Sequence, residues 1–250
     1  MTAHMKSRAR LDVAVAGGGV VGAACALALA RAGLQVALVE ARPVPRWLAE
    51  QPDLRVYALA PDNAALLDAL GVWPQVVRAR AQPYRKMRVW DAGGGDELAF
   101  DAATLARDEL GWIVENGLLV DRLWAALVAA GVQVHCPARV QGMEQDEAGV
   151  RLQLDDGTRL EARVAVAADG GASELRRLAG LDVDAHDYGQ RGVVAFIETA
   201  DPHQETAWQR FLPTGPLALL PFTQGRSSIV WTLPEAEAAR VLALDDAAFA

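Results

Sequence analysis

The feature that most constrains this chain is a run of glycines set between two apolar segments near its start. Leu11 to Ala16 is a short, valine-rich apolar run, Val20 to Ala32 reads as a helix, and Gln35 to Val39 is a second apolar run closed by Glu40. Short unbroken apolar runs are what strands buried on both faces of a parallel sheet require. Gly33 stands where a helix would be capped and stopped. Together these segments predict one βαβ unit of about thirty residues. The stretch Val13 to Ala30 carries no charged residue and is long enough to cross a bilayer in principle. Its clustered glycines, and the second apolar run after Gly33, fit strand, turn and packed helix better than a span.

The turn itself, Gly17-Gly18-Gly19-Val20-Val21-Gly22, matches G-x-G-x-x-G directly after the strand and at the opening of the helix. In that pattern Gly17 permits the tight turn, Gly19 lets a pyrophosphate approach the backbone, and Gly22 lets helix and strand pack closely. The helix N-terminus offers unpaired N–H groups and partial positive charge to phosphates. Glu40 ends the next strand, eighteen residues after Gly22. A carboxylate there can bind both hydroxyls of a ribose and disfavours a 2′-phosphate. The alternative is a glycine-rich turn with an incidental surface acid. Even in register, strand, loop, helix, strand and acid do not separate FAD from NAD.

Composition narrows the class. The chain has 250 residues and is 52% hydrophobic and 22% charged, enough to bury a core and against disorder. At about 150 residues per domain, the length corresponds to about 1.7 domains. The formal charge of −8 argues against a nucleic-acid partner. Two cysteines, Cys25 and Cys136, lack the paired spacing of a disulfide framework or a zinc site, which predicts no metal and a reducing compartment.

Further along, Pro43 to Pro52 reads as a loop, and Pro61 opens a helix over Asp62 to Leu70 stopped by Gly71. Arg85 to Asp91 and Glu97 to Phe100 read as strands joined by a glycine-rich turn, and Asn116 caps a helix to about Ala130. Val132 to His135, Val140 to Gln145 and Val150 to Leu154 read as strands, with an Asp156-Gly157 hairpin turn into Arg159 to Glu161. Arg163 to Ala168 reads as another buried strand, broken by Asp169-Gly170-Gly171 before a helix over Ser173 to Ala179. Asp169 can accept from a ribose or ribitol hydroxyl beside a glycine that allows close backbone approach, or it can simply cap the helix. From Tyr188 on, Val193 to Thr199, Ala207 to Leu212, Leu217 to Phe222 and Ser227 to Thr232 predict an antiparallel sheet. Glu235 to Leu244 reads as helix, and Asp245-Asp246 begins another.

Several of these stretches carry a resemblance. The glycine loop, Glu40-Ala41-Arg42, Arg55-Val56-Tyr57-Ala58-Leu59 and Asp169-Gly170-x-x-Ser173-x-x-Arg176 look like the FAD-dependent aromatic hydroxylases. The chain is most similar to the ubiquinone-biosynthesis hydroxylases, the UbiH/UbiF/UbiI/VisC group. Val114-Glu115-Asn116, His135-Cys136-Pro137 and Tyr188-Gly189-Gln190 extend the match. The most specific stretches are Ala207 to Phe211, Gly215 to Pro221 and Ser228 to Trp231. The resemblance implies an α/β fold: a Rossmann-like FAD-binding domain with an inserted, mainly antiparallel β-sheet substrate domain. The implied division is 1–82 and 101–184 for the FAD part, and 83–100 and 185–250 for the substrate part.

By the same resemblance, Gly17, Gly18, Gly19, Val21, Gly22, Glu40, Ala41, Arg42 and Arg55 belong to the FAD site with Asp169 and Gly170. NAD(P)H is the implied co-substrate, and the implied reaction is oxygen transfer from O2 to a polyprenylated phenol. A homo-oligomer or a ubiquinone-biosynthesis complex, a cytoplasmic location and at most peripheral membrane contact are implied with it. No catalytic base is assigned; His135 and His186 are candidates only by type. Two departures stand out: Val120 and Asp121 occupy a region where the family usually has glutamine. No second Gly-Asp segment follows Trp231, which reads as an N-terminal portion of such an enzyme. A non-catalytic nucleotide-binding or assembly module, or a related FAD oxidoreductase for another aromatic, are the alternatives.

Overall fold

In the computed structural model, which describes residues 10–44 and 46–249, the two apolar runs flanking the glycine loop are adjacent parallel strands. The basic N-terminal stretch falls largely outside the described residues, as do Pro45 of the predicted loop and the terminal Ala250. Strand β1 spans Leu11–Ala16 and β2 spans Val36–Val39, both almost entirely buried. Helix α1 spans Val20–Arg31 between them. It ends because Gly33 adopts φ +87°, which lets Gly33 N–H reach Ala30 C=O and Leu34 N–H reach Leu29 C=O. That paired closure satisfies carbonyls the helix would otherwise leave free.

The elements that follow are β3 (Val56–Leu59), α2 (Pro61–Ala69), α3 (Trp73–Arg80), β4 (Gln82–Tyr84), β5 (Lys86–Asp91), β6 (Leu98–Asp101), β7 (Gly111–Glu115) and α4 (Asn116–Ala129). Then come β8 (Gln133–His135), β9 (Val140–Asp146), β10 (Gly149–Leu154), β11 (Arg159–Ala167) and α5 (Glu174–Leu178). The chain finishes with β12 (Gln190–Ile197), β13 (Thr206–Leu212), β14 (Gly215–Pro221), β15 (Ser227–Pro234), α6 (Glu235–Leu242) and α7 (Asp246–Phe249).

The chain divides into two compact units. One comprises the residues up to Arg46, Leu67–Trp73 and Leu119–Val183; the other comprises Trp47–Leu66, Pro74–Leu118 and the residues from Asp184. The first holds a six-stranded sheet in the order β8-β2-β1-β11-β10-β9. Its β8, β2, β1 and β11 are parallel, whereas β11, β10 and β9 form an antiparallel meander. Leu11, Ala14, Ala37, Val39, Leu152, Leu154 and Ala162 form a core on this sheet. The two segments expected on either side of Arg163 are one strand: β11 pairs with β10 through its first half and with β1 along most of its length. The alternation of Leu160 and Ala162 inward with charged residues outward suits the hairpin half.

The second unit holds a six-stranded sheet in the order β12-β15-β14-β13-β5-β6 and a three-stranded sheet, β3-β7-β4. The larger sheet is antiparallel except between β13 and β5. Val193 and Leu233 pack against Ala238 and Val241 of α6. The fold is thus α/β with one mostly parallel and one mostly antiparallel sheet. Among the described residues, no helix is long and apolar enough to cross a membrane.

Candidate functional site

The parallel part of the first unit's sheet gathers several residue groups at one edge. The glycine loop follows β1, Glu40 follows β2, His135 ends β8, and Asp169-Gly170 follows β11. All four lie at the carboxyl ends of parallel strands, the edge where open α/β sheets bind ligands.

Steric crowding by the protein explains three of the loop's four glycines. Gly17 has φ +102°, and a Cβ there would run into the Ala168 carbonyl and come within 2.7 Å of Asp169 Cα. A Cβ on Gly22 would overlap the Gly17 carbonyl and stand 3.0 Å from Ala168 Cβ, so this glycine does let helix and strand close together. A Cβ on Gly18 would overlap the Trp124 ring and lie 3.1 Å from Glu40 Cβ. At Gly19 a Cβ would meet nothing within 4 Å. Packing therefore demands glycine at 17, 18 and 22, and makes no such demand at 19. Gly19 is the N-cap of α1 with no side-chain cap, and the helix's first turn contains no acid. Its leading amides are left for another acceptor.

Glu40 is fixed by hydrogen bonds to two backbone amides. Gly18 N–H donates to its Oε2 at 2.7 Å and Arg42 N–H donates to its Oε1 at 2.8 Å. Its own backbone joins β8, with Glu40 N–H donating to His135 C=O at 3.0 Å. The Arg42 side chain is 88% exposed, with Nε 3.9 Å from Glu40 Oε1. Ala41 lies half-buried between them, and Val21 projects 76% exposed from the first turn of α1. Cys136 Sγ donates to the Arg42 carbonyl at 3.2 Å. Burial first, and then the Glu40 charge, push that thiol above its ordinary value, against a lowering contribution from a backbone hydrogen bond at Val44.

Asp169 shows the capping arrangement. The Ser173 hydroxyl donates to its Oδ1, and Leu175 N–H donates to its Oδ2 at 3.1 Å. Ser173 Oγ in turn accepts from Arg176 N–H at 3.0 Å, closing the first turn of α5. Each Asp169 oxygen keeps a further lone pair, so capping and acceptance from a ligand hydroxyl are compatible. A groove of about 720 Å³ adjoins this turn, lined by Val164, Ala165, Ala167, Gly170, Ser173 and Leu175 among others, and by no residue of the glycine loop.

Arg55 belongs to the second unit, where it opens β3. Asp53 Oδ1 accepts its N–H at 2.9 Å, Asn116 N–H donates to its carbonyl at 2.8 Å, and its guanidinium lies over the Tyr57 ring at 5.8 Å. Glu115, fully buried at the end of β7, holds the preceding loop. It accepts from Trp47 Nε1 at 3.2 Å, Asp53 N–H at 2.9 Å and Arg80 Nη1 at 3.1 Å. Asp53 Oδ2 accepts from Gly117 N–H at 2.9 Å, capping α4. In the sequence Glu115 stands out only as part of the Val114-Glu115-Asn116 stretch, because the Trp47–Asp53 loop gives no periodic signal. His186 and Tyr188 are exposed and meet edge to face at 5.0 Å. Among the described residues, no group of three or more His, Cys, Asp or Glu side chains is placed to hold a metal ion.

Trp124 is the residue of this site that the sequence did not announce. Its Nε1–H donates to the Gly18 carbonyl at 2.7 Å across 106 residues of chain. Within an Ala/Leu-rich helix, a tryptophan reads simply as core.

The family model described as "FAD binding domain" matches residues 10–241. The chain is 36% identical to the 3-demethoxyubiquinol 3-hydroxylase of Escherichia coli over 222 residues, 88% of this chain and 56% of that protein. It is 37% identical to the ubiquinone hydroxylase UbiL of Rhodospirillum rubrum, covering 88% and 51%. It is 34% identical to the mitochondrial ubiquinone biosynthesis monooxygenase COQ6 of Homo sapiens, covering 95% and 54%. The chain thus spans about half the length of these relatives. Among solved structures, PqsL of Pseudomonas aeruginosa, described as a probable FAD-dependent monooxygenase, superposes with TM-score 0.78 at 25% identity, covering 94% and 63%. The p-nitrophenol 4-monooxygenase PnpA of Pseudomonas putida superposes with TM-score 0.74 at 24% identity, covering 93% and 61%.

Proposed function

This chain belongs to the FAD binding domain family, and from that premise we propose that it serves as an FAD-dependent, NAD(P)H-using monooxygenase that hydroxylates a polyprenylated phenol in ubiquinone biosynthesis. The observation that carries the reading is identity of 34–37% to ubiquinone-pathway hydroxylases over most of the chain. FAD, when bound, would supply the redox chemistry by which NAD(P)H and O2 react, one oxygen atom entering the ring and the other leaving as water.

The residues present fit the ADP half of that cofactor. Protein packing accounts for every loop glycine except Gly19, which suits a position reserved for close approach by phosphate. The uncapped start of α1 favours an anion. Glu40, held by two amides, keeps a lone pair on each oxygen for ribose hydroxyls. A 2′-phosphate at that place would meet the carboxylate's charge, so a free ribose is favoured. Gly17, Gly18, Gly22, Val21, Ala41 and Arg42 complete this grip, with Asp169 and Gly170 serving the cofactor and NAD(P)H.

The division into a cofactor part (1–82 and 101–184) and a substrate part (83–100 and 185–250) belongs to the same proposal. In its support, the mostly parallel sheet is built from residues 11–39 and 133–167, and the larger sheet of the second unit from 86–101 and 190–234. A polyprenylated substrate resides in a membrane, so contact with a lipid surface would be peripheral.

The test is turnover. Protein loaded with FAD is given NADH or NADPH, O2 and a prenylated phenol, and the product is identified by mass. A hydroxylated ring at the expense of the reduced nucleotide is the expected result. Bound FAD without turnover would reduce the chain to a nucleotide-binding module.

A further inference from the structure

Gly18 sits between two anchors of very different kind. Its N–H is taken by Glu40 Oε2 at 2.7 Å, and its C=O is taken by Trp124 Nε1–H at 2.7 Å. Trp124 is 7% exposed, and its ring lies so close to Gly18 Cα that no side chain fits there. The consequence lies one peptide further on. In a trans peptide the C=O of one residue and the N–H of the next point in opposite directions. A Gly18 carbonyl turned toward Trp124 therefore turns the Gly19 N–H away from it. Among the described residues that N–H donates to no acceptor, while the Gly19 carbonyl accepts from Ala23 N–H at 2.9 Å.

We propose that Trp124 is a positioning residue for the cofactor: its indole N–H sets the Gly18–Gly19 peptide so that the Gly19 amide faces the pyrophosphate. The inference rests on the reading that this loop holds a dinucleotide, and it assigns the loop's geometry to a residue on a distant helix. Glu40 and Trp124 then divide the work. Glu40 fixes the Gly17–Gly18 peptide and meets the ribose, whereas Trp124 fixes the Gly18–Gly19 peptide and acts only on the phosphates. A glycine pair is flexible by itself, so without the indole donor the Gly18–Gly19 peptide can rotate, and the aim of the amide is lost.

This division gives a readout that a purely structural tryptophan would not move. Binding of ADP and of adenosine is measured by NMR titration on the wild type, on Trp124→Phe, and on a chain with 3-benzothienylalanine at position 124. The last keeps the shape of indole while replacing its N–H with sulfur, so it preserves packing where the smaller phenylalanine leaves a gap. The expected result is an ADP affinity about tenfold weaker in the altered chains, the scale of one hydrogen bond to a charged group, with adenosine affinity within about twofold of wild type. Equal losses for both ligands would make Trp124 a packing residue and overturn the proposal, as would unchanged ADP binding. Should Trp124→Phe not fold, the benzothienyl chain decides alone. If the wild type bound neither ligand, the nucleotide reading itself would fall, and this inference with it.

Discussion

Glu115 offers the sharpest energetic test of the second unit. Its carboxylate is fully buried, and the Arg80 side chain paired with it is 13% exposed. Arg80 is also held over the Trp47 ring at 5.4 Å and donates to the Ala49 carbonyl, so it cannot easily swing to water. In Glu115→Gln the amide oxygen can keep the two donors at Oε1, Trp47 Nε1 and Asp53 N–H. The amide NH2 then faces Arg80, replacing an ion pair with two opposed donors. Breaking a buried pair from one side costs about 3–5 kcal/mol, because the remaining charge stays buried. With Arg80 touching solvent and two of three hydrogen bonds kept, about 3 kcal/mol is expected, read by urea unfolding followed by tryptophan fluorescence. Arg80→Met keeps the apolar stem and removes the stranded charge. The double-mutant cycle should therefore show a coupling of about 2 kcal/mol. Additivity within about 0.5 kcal/mol would refute the reasoning, since it would mean that the two groups do not act on each other.

Four further outcomes follow from the first unit. Gly22→Ala should destabilise by about 1–3 kcal/mol, because its Cβ meets the Gly17 carbonyl and overpacking has no room to relax. Gly19→Ala should unfold within about 1 kcal/mol of wild type yet bind ADP at least tenfold more weakly; paired urea and ADP titrations check both. Ser173→Ala removes the side-chain acceptor for Arg176 N–H and should cost about 1 kcal/mol in the same unfolding assay. Cys136 should alkylate more slowly than free cysteine at pH 8, because its thiol is pushed above the ordinary 9.0 and stays protonated. Its rate should climb as pH rises past that value, and iodoacetamide labelling read by peptide mass would contradict this if it were fast at pH 8.

Much of this architecture was legible because its signals are local. β1 falls on the same residues its valine-rich run marks, and α1 begins at Val20 as the glycine loop requires. The strands from β12 to β15 are bounded by prolines and glycines that the eye can follow. What was not legible is pairing over distance. β7 is read from sequence only as a motif, since Gly111–Glu115 is five residues without alternation, and its partners β3 and β4 are four and three residues long. The parallel match of β13 with β5 joins Thr206 to Lys86, and nothing in either segment encodes the other. The same holds for α3, whose eight residues begin with Trp73-Pro74, where a helix start and a loop look alike. At the site, the loop and Glu40 are visible because a dinucleotide motif places its glycines and its acid at set spacing. Trp124 was not, since its task is expressed only through a peptide 106 residues away. Asp169 was balanced between two roles, and the hydrogen bonds to Ser173 and Leu175 place it in the capping one without removing its free lone pairs.

That this chain binds FAD is tested most directly by thermal unfolding at increasing FAD concentration. A ligand that binds only the folded state stabilises it by about 2.7 kcal/mol at a hundredfold excess over Kd. The melting temperature should therefore rise steadily with the logarithm of FAD concentration above Kd, and excess ADP should blunt the rise by competing for the glycine loop and Glu40. A melting temperature that stays unchanged up to millimolar FAD would contradict it.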